Sequence, residues 1–558
     1  MSEHQPKPRL LSLDQFRGYT VAGMCVVNML APFAAIHSIL KHNDTYFSYA
    51  DSIMPGFLFI VGFAFRLTWL KRRREASLAR TDWSYVRRSG RLLLLSLIIY
   101  AFVGDATRWF HFQDMPPEFQ SFRALPPRTE AFDPLMRAIE SEPQAAAHSA
   151  AAKQAADRAL GEAEAYVPAE VERLQAWREM NWPSRLLINW RILGAKMIKS
   201  ELWETLAIIA VSQLVVLPWI GCRFWTRFLV LFALGIAHAL LSYWFNWDFL
   251  YGINGNWMSK AWMTGDDRGW DGGILGPLSW GMALMAGTLA HDLWARSGAT
   301  GKTVGRLLLW GAAFMAVGYS MSCLTRLYDF SDSELAALRR RHQRQDAEKT
   351  WLANLIAGQQ AEAQRLRSQL ESATPADRDR LQAAIERTEG TILVFEDERR
   401  NFPDLDLAES PVEPPWERLH DRSVRDLLAE PPFVAPPADN PRSDPPPWIE
   451  HRARNYWMLG KRMPNLSFMI FATGFEFALF GLFVAACDLG GLRVGLFRTF
   501  GTNPLAAYFI HGMACLLLAW ALPPDAALAA CVIGCGLAFA FTYVLVRFLE
   551  LRGLYWRL

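Results

Sequence analysis

The chain has 558 residues, 52% of them hydrophobic and 20% charged, with a formal net charge of +3 at pH 7. So small a net charge argues against a nucleic-acid binder, while bulk composition alone does not separate a large soluble protein from a membrane protein. The distribution does, because apolar residues are gathered into long blocks and charges crowd into two stretches between them.

A helix isolated in lipid satisfies its backbone hydrogen bonds only along itself and needs roughly 20 apolar residues to cross the hydrocarbon core. Ten blocks approach that length, near residues 19–35, 53–70, 92–109, 202–220, 228–245, 274–293, 304–324, 467–487, 503–522 and 526–548. The first 16 residues are mostly polar and no small-residue cleavage pattern follows the first block, so that block is expected to stay as a helix. The fold class expected is an all-α polytopic membrane protein with about ten transmembrane helices and two long, mainly helical extracytoplasmic inserts. Transmembrane segments would occupy residues 1–110, 201–327 and 464–558, and the inserts residues 111–200 and 328–463.

Lys and Arg resist translocation, and here they recur at every second connection. Lys71, Arg72, Arg73, Arg74, Arg80, Arg87, Arg88 and Arg91 follow the second block; Arg223 and Arg227, then Arg296, Lys302 and Arg306, then Arg493 and Arg498 follow later ones. The alternation predicts both termini in the cytoplasm and both inserts outside it, as in a bacterial inner membrane. The second insert reads as two helices, 334–370 and 376–402, separated by Thr374, Pro375 and Asp377 as N-cap, first-turn proline and acidic first turn. Beyond residue 403 it turns Pro-rich and reads as extended linker. The first insert is Ala-rich and mostly helical by propensity, with no paired-carboxylate or metal-ligand pattern. All seven cysteines lie in or at the ends of apolar blocks, which argues against a disulfide framework.

Polar side chains inside apolar spans are costly and become functional candidates by default. Those here are Asn28, Arg66, Asp105, Glu201, Glu204, His238, Glu476, Asn503 and His511. Arg66 can snorkel, Asp105 can reach water, and His238 can bond a neighbouring helix. His42 follows the first block in a short connection leading to Asp51, where an imidazole suits a general base acting on an amine or hydroxyl. Asn28, about four ideal helical turns back, suits oxyanion stabilisation, although Pro32 interrupts that path. By spacing alone His37 is an equal candidate.

At these residues the chain resembles a known family. Arg9-Leu10-Leu11-Ser12-Leu13-Asp14-Gln15-Phe16-Arg17-Gly18, then Val26-Val27-Asn28, then Lys41-His42 and Asp51, are similar to the opening motifs of the heparan-alpha-glucosaminide N-acetyltransferase family. Trp270-Asp271-Gly272-Gly273 and Gly501-Thr502-Asn503-Pro504-Leu505 with Tyr508 resemble its later segments. The resemblance implies an acyltransferase in which acetyl-CoA is the donor and a saccharide amine on the other side of the membrane is the acceptor. It implies His42 as base or acyl carrier with Asn28 beside it, and favours His42 over His37. On this reading Asp51, Asn503, Glu476 and His511 are expected on the substrate side. Arg17, with Asp14, is expected where the CoA phosphates stay, and no metal is called for.

Membrane lipid is an expected partner, a homo-oligomer is compatible with the sequence, and nucleic acid is not expected. Two alternatives stay open: an O-acyltransferase of envelope polysaccharide, whose family opens on a similar motif, and a transporter or scaffold. A transporter would favour paired broken helices in two repeated halves, and no such repeat is visible.

Overall fold

The computed structural model describes residues 10–43, 46–102, 179–252, 256–262, 269–328, 332–400, 423–428 and 455–556. Asp105, most of the first insert and the Pro-rich stretch of the second lie outside the described residues. Among the described residues all regular structure is helical. The helices are, in chain order, α1 (Leu11–Leu30), α2 (Tyr49–Glu75), α3 (Leu78–Ser96), α4 (Trp182–Lys196), α5 (Thr205–Val216), α6 (Phe224–Leu241), α7 (Trp247–Tyr251), α8 (Trp257–Trp262), α9 (Gly276–Ala295), α10 (Gly301–Ser322), α11 (Asp332–Glu371), α12 (Pro375–Arg400), α13 (Val424–Leu427), α14 (Leu466–Phe483), α15 (Gly495–Thr502), α16 (Pro504–Ala521) and α17 (Leu528–Leu551).

Seven of these, with their continuations, are long and apolar enough to cross a membrane: Tyr49–Glu75, Phe224–Tyr251, Gly273–Ala295, Gly301–Tyr328, Leu466–Leu489, Pro504–Ala521 and Leu528–Leu551. The protein is an integral membrane protein by this measure. The other three predicted blocks also hold helix but differ in kind. α1 carries Ser12, Asp14, Gln15, Arg17, Thr20 and Asn28 and is buried by protein along most of its length. α3 carries Arg80, Arg87, Arg88 and Arg91 and turns apolar only from Leu92, and α5 is an apolar helix of 12 residues prolonged by a tight turn to Trp219.

Small residues bring the helices together, as expected where helix association depends on close packing rather than on the hydrophobic effect. A Cβ on Gly62 of α2 would collide with the Leu284 carbonyl of α9, and one on Gly287 of α9 with the Phe59 carbonyl of α2. Between α10 and α14 a Cβ on Gly318 would sit 2.5 Å from the Phe471 amide nitrogen, and one on Gly474 2.5 Å from that of Met315. Arg66 does not snorkel: it is buried and donates to Asp292 at 3.2 Å, and Arg227 donates to the same carboxylate, forming a charged cluster between α2, α6 and α9. His238 is fully buried and lies 3.3 Å from the Tyr456 hydroxyl.

In the second insert α11 and α12 form a hairpin. The Thr374 hydroxyl donates to Asp377 at 2.7 Å, at the turn where the sequence places an N-cap, and Leu352, Ile356 and Phe395 close a small apolar contact between the two helices.

Candidate active site

α2 begins with a capping box, Ser48 at the N-cap and Asp51 three residues on. The Asp51 carboxylate is fully buried and does two jobs. Its Oδ2 accepts from the backbone N–H groups of Asn43 and Ser48, both at 3.2 Å, which ties the preceding loop to the helix start. Its Oδ1 accepts from His42 Nδ1 at 2.9 Å. A carboxylate only accepts, so Nδ1 carries the hydrogen and Nε2 presents a lone pair. The tautomer required of a base at Nε2 therefore follows from the way the helix is capped.

On the Nε2 side stands Lys461, whose Nζ is 3.3 Å from that nitrogen and 3.7 Å from Asp271 Oδ1. The Trp270 ring lies beside all of them, 6.2 Å from the His42 ring centroid, with Lys461 Nζ 5.7 Å and the Arg462 guanidinium carbon 4.7 Å from its own centroid. Asp271 has φ of 50°, the left-handed region, and is the only non-glycine with positive φ among the described residues. Gly272 and Gly273 follow it in the same region at no steric cost. The segment is pinned from several elements: the Gly272 N–H donates to the Arg462 carbonyl at 2.9 Å, Asn246 to the Gly272 carbonyl at 3.2 Å, and the Trp280 indole to the Asp271 carbonyl at 3.2 Å. A strained residue held by so many partners is a mark of a functional position. Burial raises the Asp271 carboxyl above its ordinary range, and Lys461 and His42 draw it back. Glu204, the residue before α5, is pushed up to about 7 by burial and by the nearby Asp271 charge.

A cavity of about 480 Å³ runs from this cluster through the bundle. That volume lies in the range of small-molecule sites, roughly 300–1,000 Å³. Asn28, His42, Asp271 and Lys461 line it near one end, and Arg17, Arg88 and Trp556 line it elsewhere. Arg17 and Asn28 share α1 and are separated along its axis by about 16 Å at 1.5 Å per residue. Between them the wall is mainly apolar, with Met24, Phe57, Val61 and Leu505. Asn28 is exposed to the cavity and its amide donates to His511 Nε2 at 3.1 Å; His511 Nδ1 in turn donates to the Tyr508 carbonyl, which fixes the histidine tautomer. The amide keeps a second N–H.

Of the site residues expected from the sequence, Asn28, His42 and Arg17 line this cavity, as do Asp271, Gly501, Thr502, Pro504, Leu505 and Tyr508 of the later family-like segments. Asp14 does not; it accepts from Arg17 at 3.4 Å. Asp51, His511, Asn503 and Glu476 also lie outside the lining. Asp51 stands behind His42 and His511 behind Asn28. Asn503 is fully buried and ties the C-terminal segment, donating to the Leu554 carbonyl at 2.9 Å and accepting from the Trp556 N–H at 3.1 Å. Glu476 is buried in α14 close to Gly56 of α2. His37 is exposed and accepts from the Ile39 N–H, capping a short turn.

Sequence reading did not single out Lys461, and it counted Arg88 only as a topology marker. A signal for Lys461 existed: with Arg462 it places two cations at the end of a predicted outer segment, against the alternation.

Residues 9–112 match the heparan-alpha-glucosaminide N-acetyltransferase catalytic family. The matched stretch contains Arg17, Asn28, His42, Asp51 and Arg88, which the structure gathers on or behind one cavity wall. One of the seven membrane-length helices, Tyr49–Glu75, lies inside the matched stretch, and the other six lie beyond it. No curated protein matches the chain.

Proposed function

We propose that the protein transfers an acetyl group from acetyl-CoA, held from the Arg17 side of the cavity, to the amine of an amino sugar or saccharide at the His42 side. The observation that carries this reading is one cavity joining a carboxylate-oriented histidine to a pair of guanidinium groups. Arg17 and Arg88 suit the phosphates of the donor, since guanidinium forks match phosphate oxygens. The apolar wall between suits the thioester arm. With both termini cytoplasmic in a bacterial inner membrane, the donor stays on its own side and only its arm enters the bundle.

His42 Nε2 takes a proton from the acceptor amine as its nitrogen bonds to the thioester carbonyl carbon. Asp51 stabilises the resulting imidazolium through Nδ1–H. The remaining Asn28 N–H donates to the oxyanion of the tetrahedral species. Collapse breaks the C–S bond, the thiolate leaves, and the imidazolium returns its proton to sulfur. The test is CoA release and acetylated product from purified protein in detergent, with acetyl-CoA and a glucosamine-terminated oligosaccharide. Absence of any acetyl-CoA consumption sinks the reading.

A further inference from the structure

His42 Nδ1–H is committed to Asp51, so Nε2 has a lone pair and nothing to donate. Lys461 has three N–H groups and nothing to accept with, so the 3.3 Å contact is an N–H directed at that lone pair. In this arrangement the proposed base is capped, and the lysine nitrogen stands where the nitrogen of an incoming amine has to arrive. The same Nζ is 3.7 Å from Asp271, within ion-pair range but too long for a hydrogen bond. A small swing of a four-carbon stem moves it from one partner to the other. Asp271 is suited to receive it, because its left-handed backbone is pinned and its carboxylate Oδ1 is buried without a hydrogen-bond partner. Glu204 adds a second acidic group near this seat.

The geometry points to Lys461 as a positioning residue that caps His42 Nε2 at rest and moves onto Asp271 when an acceptor amine takes its place. The thioester is thereby withheld from water until an acceptor is bound, because a water entering the empty site finds the base already occupied. This inference rests on the acetyltransferase reading given above.

The experiment compares wild type, Lys461→Met and Lys461→Arg in detergent, measuring CoA release with and without a glucosamine-terminated oligosaccharide. In Lys461→Met the ratio of acceptor-free hydrolysis to transfer rises about tenfold, the equivalent of about 1.4 kcal/mol, and KM for the acceptor falls because nothing has to be displaced. Lys461→Arg, which keeps the charge and the donors, retains the wild-type ratio. An unchanged ratio in Lys461→Met, or one shifted toward transfer, overturns the inference while leaving the acyltransferase reading intact. Wild type that consumes no acetyl-CoA at all removes the donor reading, and the capping role with it. Should Lys461→Met not fold, Asp271→Asn serves: loss of the second seat raises acceptor KM without raising acceptor-free hydrolysis, and an unchanged KM overturns the inference.

Discussion

Asp51→Asn changes one atom type at the centre of the site and has a direction that the structure dictates. Oδ2 accepts two backbone N–H groups, from Asn43 and Ser48, while Oδ1 accepts one hydrogen from His42. An asparagine placed there keeps its oxygen toward the two N–H groups, because turning its NH2 against them leaves two buried donors facing two more, each unmet donor costing about 1–3 kcal/mol. The NH2 then faces His42 and donates to Nδ1. That forces the hydrogen onto Nε2, and the lone pair needed by a base is gone. In a histidine oriented by a carboxylate, this exchange lowers kcat by about 10⁴ with geometry intact, close to 5.5 kcal/mol of transition-state stabilisation. The assay is steady-state acetyl transfer to a glucosamine-terminated oligosaccharide, with kcat and KM resolved separately and thermal unfolding as a check that the helix start survives. A variant whose kcat stays within about threefold of wild type, which is about 0.65 kcal/mol, refutes the reasoning, since His42 would then not depend on the tautomer that Asp51 imposes.

Three further outcomes are expected. Replacing Arg17 or Arg88 by Ala removes a charge-assisted contact to phosphate worth about 1.5–3 kcal/mol, so KM for acetyl-CoA rises about 10- to 100-fold with a smaller change in kcat; a double variant with unchanged KM places the donor elsewhere. Glu204, ordinarily ionising near 4.5, is held at about 7 by burial first and Asp271 second. The folded state thus holds a proton that the unfolded chain has lost between those values, and stability falls as pH rises through that window; thermal melts in detergent should show a decline that Glu204→Gln flattens, and parallel curves count against it. Gly318→Leu forces α10 away from the Phe471 backbone and lowers stability by about 3 kcal/mol, whereas Gly305→Leu, on the same helix with open space beside it, is silent; equal effects of the two contradict the packing account.

Much of this protein is legible locally. The apolar blocks follow from the need of a lone helix to satisfy its own backbone in lipid, and the turn between α11 and α12 follows from Thr374, Pro375 and Asp377, whose capping chemistry operates within a few residues. The pairing of His42 with Asp51 belongs to the same class, since both sit within ten residues and Ser48 three positions before Asp51 is a capping-box spacing. The motifs at Arg17, Asn28 and His42 carried the family resemblance before any fold was in view. What only the tertiary structure decided are contacts between residues remote in the chain. Lys461 meets His42 across 419 positions, and no periodicity or spacing encodes that distance. Asn503 is part of a family-like motif yet is spent on holding the chain's C-terminal segment. Whether a polar residue in an apolar span faces a cavity, as Asn28 does, or is enclosed between helices, as Arg66 and Glu476 are, depends on which neighbour packs against that face. In these helices that choice is made by the small residues that let two particular backbones touch.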